Sequence, residues 1–331
     1  MTSKSAHSPP APADDPSTGS SAGAIPPRAA LPGGVAGAVL AGMRPRQWAK
    51  NLLVFAGLLF TLDQPHQSAD YLRVGLAFLL FCLLSGSVYL INDVADAAAD
   101  RNHPRKRFRP VASGRLPVPV ALSVALLCIP AALGLAYAVL GTEFTLTAVA
   151  YFALTLAYTF RLKHLVIVDV MTVAAGFILR AVAGTVVIHV PSTQWLLVCT
   201  GLLALFVALG KRRGEFVSVA TAQQQAVGVE IPASRRILAQ YSLPLLDQMT
   251  TIVATACLIA YLLYTFSSET GQKHPYLMAT APFVLYGLFR YLYLSQQEGK
   301  GEAPEEVLLR DGPMLVNILL WVLAVFLALR L

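Results

Sequence analysis

The segment Asn92-Asp93-Val94-Ala95-Asp96-Ala97-Ala98-Ala99-Asp100 spaces three carboxylates three and four residues apart. On a continuous helix, at about 100° per residue, Asp93, Asp96 and Asp100 share one narrow stripe. Like charges so close repel, so the pattern makes sense when a cation neutralises them. Oxygen ligands of this kind suit magnesium, which keeps several waters and bridges one or two carboxylates to substrate phosphates. Directly behind comes Arg101-Asn102-His103-Pro104-Arg105-Lys106-Arg107-Phe108-Arg109-Pro110, five cations after three acids. A metal and arginines can then grip different oxygens of one polyphosphate.

These residues need elements to position them, and the composition says which. Of 331 residues, 56% are hydrophobic and 13% charged, against about 45–50% and 25% in soluble domains. Apolar runs predict an all-α, polytopic membrane bundle of about nine spanning helices near 46–62, 72–91, 118–140, 144–160, 165–189, 194–210, 244–266, 275–294 and 312–330. The first run contains Arg46 and Lys50, which implies an interfacial entry with snorkelling cations. Nine passes put the termini on opposite sides.

Lys and Arg gather in alternate loops: Arg44, Arg46 and Lys50 at the first span, Arg101 to Arg115 after the second, Arg161 and Lys163 after the fourth, and Lys211, Arg212, Arg213, Arg235 and Arg236 after the sixth. The positive-inside rule assigns that side to the cytoplasm, so the expected location is the inner (plasma) membrane with a cytoplasm-facing site for an anion. The net charge of +7 is loop-borne, which argues against nucleic acid. Cys82, Cys128, Cys199 and Cys257 lie in apolar runs without metal-like spacing. Residues 1–34, rich in Ala, Pro, Ser and Gly, read as a disordered cytoplasmic tail, leaving 35–331 as one membrane domain.

Two charges lie inside one apolar run. Asp169 and Arg180, eleven residues apart, share a helix face about 16 Å apart along the axis, so they cannot pair. Intramembrane charges face a polar cavity or a partner. Asp169 is expected near the site, Arg180 equally as an ion-pair partner, and Arg290 as a snorkelling residue.

Asn92-Asp93-x-x-Asp96-x-x-x-Asp100 followed by Arg109-Pro110-x-x-x-Gly114 resembles the first aspartate-rich motif of the UbiA superfamily of intramembrane prenyltransferases. Within it, Arg44-Pro45-Arg46-Gln47-Trp48-Ala49-Lys50-Asn51, Lys106-Arg107-Phe108-Arg109-Pro110, Leu162-Lys163-His164, Gly176 to Gly184, Leu209-Gly210-Lys211-Arg212-x-x-Glu215 and Pro304-Glu305-Glu306-x-x-Leu309-Arg310-Asp311 are similar to the decaprenyl-phosphate phosphoribosyltransferase branch. The resemblance implies magnesium held by Asn92, Asp93 and Asp96, with Asp100 beside them. It implies Asp93, Asp96, Lys50 and Lys163 as the catalytic set. The implied substrate contacts are Arg44, Arg46, Lys50, Asn92, Lys106, Arg107, Arg109, Tyr158, Lys163, Asp169, Lys211 and Arg212. Tyr158 and Lys163 match a tyrosine-lysine motif beside the diphosphate. Aromatic prenyltransferases carry a second acid motif after the sixth helix, where this chain has Lys211-Arg212-Arg213-Gly214-Glu215; cations there would bind phosphate directly.

The implied reaction moves 5-phosphoribose from 5-phosphoribosyl 1-diphosphate to a polyprenyl phosphate, as in building cell-envelope glycan precursors. The chain carries no convincing nucleophile and base pair, and a phosphate monoester, already largely dianionic at neutral pH, needs none. Two alternatives stand: a prenyltransferase with an allylic diphosphate donor and an aromatic or other lipid acceptor, and an anion transporter. A homo-oligomer stays open.

Overall fold

Lipid offers no partner for backbone N–H and C=O groups, so an apolar chain that enters it must close those bonds within helices or barrels. The computed structural model describes residues 34–59, 61, 65–102, 106–225, 237–296 and 310–330, which are helical and contain no strand. The proposed tail up to residue 33, His103, Arg105, Arg235, Arg236 and the Pro304 to Leu309 stretch lie outside the described residues.

Helix α1 (Gly34–Gly42) leads to Arg44, whose φ of 55° turns the chain. Pro45 then opens a 3-10 helix, Pro45–Phe55, that runs into a short α-turn, Ala56–Leu59. At about 2.0 Å per 3-10 residue and 1.5 Å per α residue, these fifteen residues stretch over about 28 Å. The expected first α-helix is therefore a tighter, longer-reaching rod. Its depth follows from its partners: Arg44 meets Asp93, Asn51 meets Ser85, and Gly57 lies against the Gly184 backbone.

Seven helices are long and apolar enough to cross a membrane among the described residues. They are α2 (Ser68–Ala95), α3 (Val118–Leu135, continuing to Leu140), α4 (Thr142–Phe160), α5 (Val168–Val186), α6 (Gln194–Gln225), α7 (Leu243–Ser267) and α8 (Ala281–Gln296, entered through the 3-10 turn Pro275–Thr280). The last apolar helix, α9 (Gly312–Ala328), has 17 residues. Of the about nine spans expected, seven are thus met by helices of spanning length among the described residues, while the first run is largely 3-10 and the last helix is short.

The protein is packed inside and apolar outside. Phe81 of α2 meets Phe144 edge-on at 5.9 Å and Tyr151 at 5.0 Å, both from α4, while Leu126 and Leu127 of α3 stand 70% and 71% exposed as lipid-facing side chains do. Small residues set the closest approach. A Cβ on Gly184 would stand 2.0 Å from the Val54 carbonyl oxygen, so only glycine lets α5 touch the 3-10 rod, the close packing that membrane interfaces use.

Candidate active site

Where α2 ends, Asp93 turns into the bundle and is 1% exposed. Arg44, held by the left-handed turn before the 3-10 rod, forms an ion pair with its Oδ1. Arg109 reaches the same oxygen at 3.4 Å and Asp100 Oδ2 at 2.6 Å. Asp93 Oδ2 is buried with no hydrogen-bond partner. An unsatisfied buried acceptor is costly, and a bound cation would satisfy it.

The three acids do not line one stripe. Helix α2 stops at Ala95, Asp96 adopts φ −92° and ψ 0°, and a short helix restarts over Ala97–Arg101. Asp93 and Asp100 therefore converge on Arg109, while Asp96 meets Lys163 Nζ at 2.8 Å. Lys163 stands on the 3-10 turn Leu162–His164 that follows α4. Among the described residues no three His, Cys, Asp or Glu side chains group as a metal cage. Magnesium commonly takes one or two protein carboxylates, so Asp93, with its open oxygen, and Asp96 fit such an ion; Asn92, directly before Asp93, is half-buried, and Asp100 is occupied by Arg109.

Of the other expected contacts, Arg46 and Arg107 are exposed and Lys50 and Lys106 half-buried. Lys106 lies within electrostatic reach of Arg109, Asp100, Glu215 and Asp96; burial, then the neighbouring Arg109 charge, lowers its pKa from the ordinary lysine value.

The basic run of α6 behaves differently from a bare phosphate grip. Arg212 lies 2.9 Å from Asp169 Oδ2 and 2.6 Å from Glu215 Oε2, and it also hydrogen-bonds Tyr158. Arg213 pairs with Asp247 at 2.6 Å. Lys211, half-buried, has no carboxylate at ion-pair distance among the described residues. Asp169 is fully buried, and its Oδ1 accepts the Tyr241 hydroxyl at 2.9 Å. That hydroxyl oxygen accepts the Ile167 N–H at 2.7 Å, bracing a β-branched residue at φ 68°, a strained conformation. Burial first, with Asp169 adding to it, pushes the Tyr241 phenol up to about 12.

Two side expectations change. Arg180 has neutral partners, Asn51, Gly176 and Tyr151, rather than an ion pair. Arg290 pairs with Asp311 at 2.8 Å instead of snorkelling. The sequence reading also missed Tyr89, Tyr241 and Asp247, and gave Asn51 no role beyond the stretch that carries the resemblance; of the first three only Tyr89 left a signal, standing four residues before Asp93 on the same helix face.

The UbiA prenyltransferase family model matches residues 51–319 of this chain. The chain belongs to the UbiA prenyltransferase family. The matched stretch carries the acids at the end of α2, Lys163 and the basic run of α6, whereas Arg44, Arg46 and Lys50 precede it. Among similar UbiA-family proteins, the decaprenyl-phosphate phosphoribosyltransferase of Corynebacterium glutamicum is 35% identical over 302 residues, 90% of this chain and 88% of its own. That of Mycolicibacterium smegmatis is 34% identical over 308 residues, 89% of this chain and 93% of its own. The fold matches a UbiA homologue from Archaeoglobus fulgidus, solved with GPP and Mg2+, at TM-score 0.63 and 16% identity over 89% of this chain and all of that one.

Proposed function

We propose that this UbiA-family enzyme is a magnesium-dependent transferase that moves 5-phosphoribose from 5-phosphoribosyl 1-diphosphate to a polyprenyl phosphate at the cytoplasmic face of the inner membrane. The observation that carries this reading is the likeness to decaprenyl-phosphate phosphoribosyltransferases along almost the full length of both partners.

The site chemistry agrees. An oxygen of the acceptor phosphate bonds to the anomeric carbon, the bond from that carbon to the diphosphate oxygen breaks, and diphosphate leaves with the electron pair. Magnesium, held by Asp93 and Asp96 with Asn92, would supply neutralisation of the charge growing on that leaving group. Arg44, Arg109 and Lys163, now paired with carboxylates, stand where their N–H donors can turn to phosphate oxygens. Asp100 fixes Arg109, and Asp169 fixes Arg212, so these acids are positioning residues. An acceptor that is already a dianion removes the need for a general base, and catalysis rests on placement and charge. The donor's diphosphate is on the α face, so one in-line attack from the opposite face gives a β-linked product.

The test incubates detergent-purified protein with magnesium, phosphoribosyl diphosphate and a polyprenyl phosphate, and identifies the lipid product by mass and anomeric configuration. A β-linked phosphoribosyl lipid is expected. A prenylated aromatic product without phosphoribosyl transfer would overturn the assignment in favour of an allylic diphosphate donor.

A further inference from the structure

Arg44, Arg109, Lys163, Arg212, Arg213 and Arg290 each meet a carboxylate. Arg180 does not. Midway along α5 and 7% exposed, it donates Nε to Asn51 Oδ1 at 2.8 Å, Nη1 to the Gly176 carbonyl at 2.9 Å and Nη2 to the Tyr151 hydroxyl at 2.7 Å. Its guanidinium carbon lies 4.7 Å and 5.1 Å from the Tyr151 and Phe177 ring centroids. All these partners are neutral. A guanidinium has five N–H donors, so two donors have no hydrogen-bond partner and the charge has no carboxylate counter-ion among the described residues. A cation at hydrocarbon depth is expensive and marks function by default.

A polar stripe on α2 connects this cation to the acids. Asp93, Tyr89 and Ser85 stand at intervals of four, one below another, over about 12 Å. Asp93 pairs with Arg44, whose guanidinium carbon lies 4.8 Å from the centroid of the Tyr89 ring. Ser85 accepts from Asn51 Nδ2 at 3.2 Å, and Asn51 holds Arg180. The Tyr89 hydroxyl lies within electrostatic reach of Arg44, Lys211 and Arg180. Two of those three cations, Lys211 and Arg180, have no carboxylate at ion-pair distance among the described residues.

Tying the 3-10 rod to α4 and α5 would need only neutral hydrogen bonds, and it gives no reason for a second cation without a counter-ion within electrostatic reach of the same phenol. We propose that Tyr89, Lys211 and Arg180 bound a site for a phosphate monoester, one helical turn deeper than Asp93. Such a group carries about −1.5 to −2 at neutral pH, which matches two cations. Both substrates of the reaction proposed above, on which this rests, carry one: the acceptor's phosphate and the donor's 5-phosphate. In-line attack favours the acceptor, whose phosphate enters from the lipid side, away from the departing diphosphate.

The test measures binding to the full chain in detergent, without turnover, of farnesyl phosphate, farnesol and, separately, magnesium with phosphoribosyl diphosphate. Wild type should prefer farnesyl phosphate to farnesol. Arg180→Gln and Lys211→Gln should each weaken farnesyl phosphate binding roughly tenfold to a hundredfold, as for loss of one charged hydrogen bond, and leave farnesol unchanged, with Arg180→Lys recovering most of the loss. A selective loss of donor binding instead assigns the site to the 5-phosphate. Equal binding of phosphate and alcohol, or variants that bind both substrates as wild type does, overturns the site. Should Arg180→Gln fail to fold, Lys211→Gln and Arg180→Lys still give the answer. A chain that shows this binding yet transfers no phosphoribose keeps the site and loses only the reaction.

Discussion

Replacing Lys163 with Met should strengthen metal binding in the absence of substrate while weakening diphosphate binding in its presence. Lys163 Nζ stands 2.8 Å from Asp96 Oδ1, with side chains 20% and 31% exposed, so a metal must displace it to use that oxygen. A pair of this exposure is worth about 0.2–1 kcal/mol. Its removal should therefore raise the affinity for Mn2+ alone by about 1.4-fold to 5-fold. The same ammonium group, turned to a phosphate oxygen, makes a charged hydrogen bond worth roughly 1.5–3 kcal/mol, so diphosphate binding with metal present should fall about tenfold or more. Mn2+ titration by electron paramagnetic resonance and diphosphate calorimetry read the two effects separately. General damage to the fold would lower both affinities. If metal-alone binding falls or stays constant while diphosphate binding falls, Lys163 is not the internal counter-ion of Asp96, and the exchange of partners is wrong.

Asp93→Asn and Asp96→Asn should each lower kcat roughly a hundredfold or more, as loss of a group that stabilises transition-state charge does, with the folded protein still extractable. Asp100→Asn should act mainly on donor KM, by about tenfold, because it holds Arg109 rather than the metal. Glu269→Cys should react with an impermeant thiol reagent from outside intact cells and Ala98→Cys only after permeabilisation; the reverse pattern would put the site on the wrong side of the membrane. The Tyr241 phenol is raised from 10.0 to about 12, so its contribution to stability is complete below pH 10 and is lost as pH rises toward 12. Melting temperatures of Tyr241→Phe should accordingly decline less between pH 10 and 12 than those of wild type.

How far the sequence could be read depends on whether each feature is local. Apolar runs and loop charges are local, and they gave the helical membrane bundle and most helix positions. The 3-10 rod was not legible, because Arg44, Pro45 and the small residues Gly57 and Gly184 set its geometry through contact with α5. The acid run pointed to cation chemistry, yet the geometry of the acids depends on one backbone break at Asp96, which three following alanines, strong helix formers, conceal. Pairings such as Lys163 with Asp96, Arg212 with Asp169 and Arg213 with Asp247 join residues 67, 43 and 34 positions apart; no spacing rule reaches that far.

Read alone, Lys211-Arg212-Arg213 is a triple charge awaiting phosphate. In the fold two of the three are neutralised by Asp169, Glu215 and Asp247, so the positive potential at the site comes from fewer residues than the count suggests. Replacing Lys211 should therefore weaken binding of a phosphorylated ligand. Replacing Arg213, bound to Asp247 and to the Ser295 carbonyl, should instead loosen the contact of α6 with α7 and α8 and appear as a lower melting temperature with substrate affinities kept. If Arg213→Gln loses phosphate affinity at unchanged stability, the division of labour within this run is wrong and all three cations face the ligand.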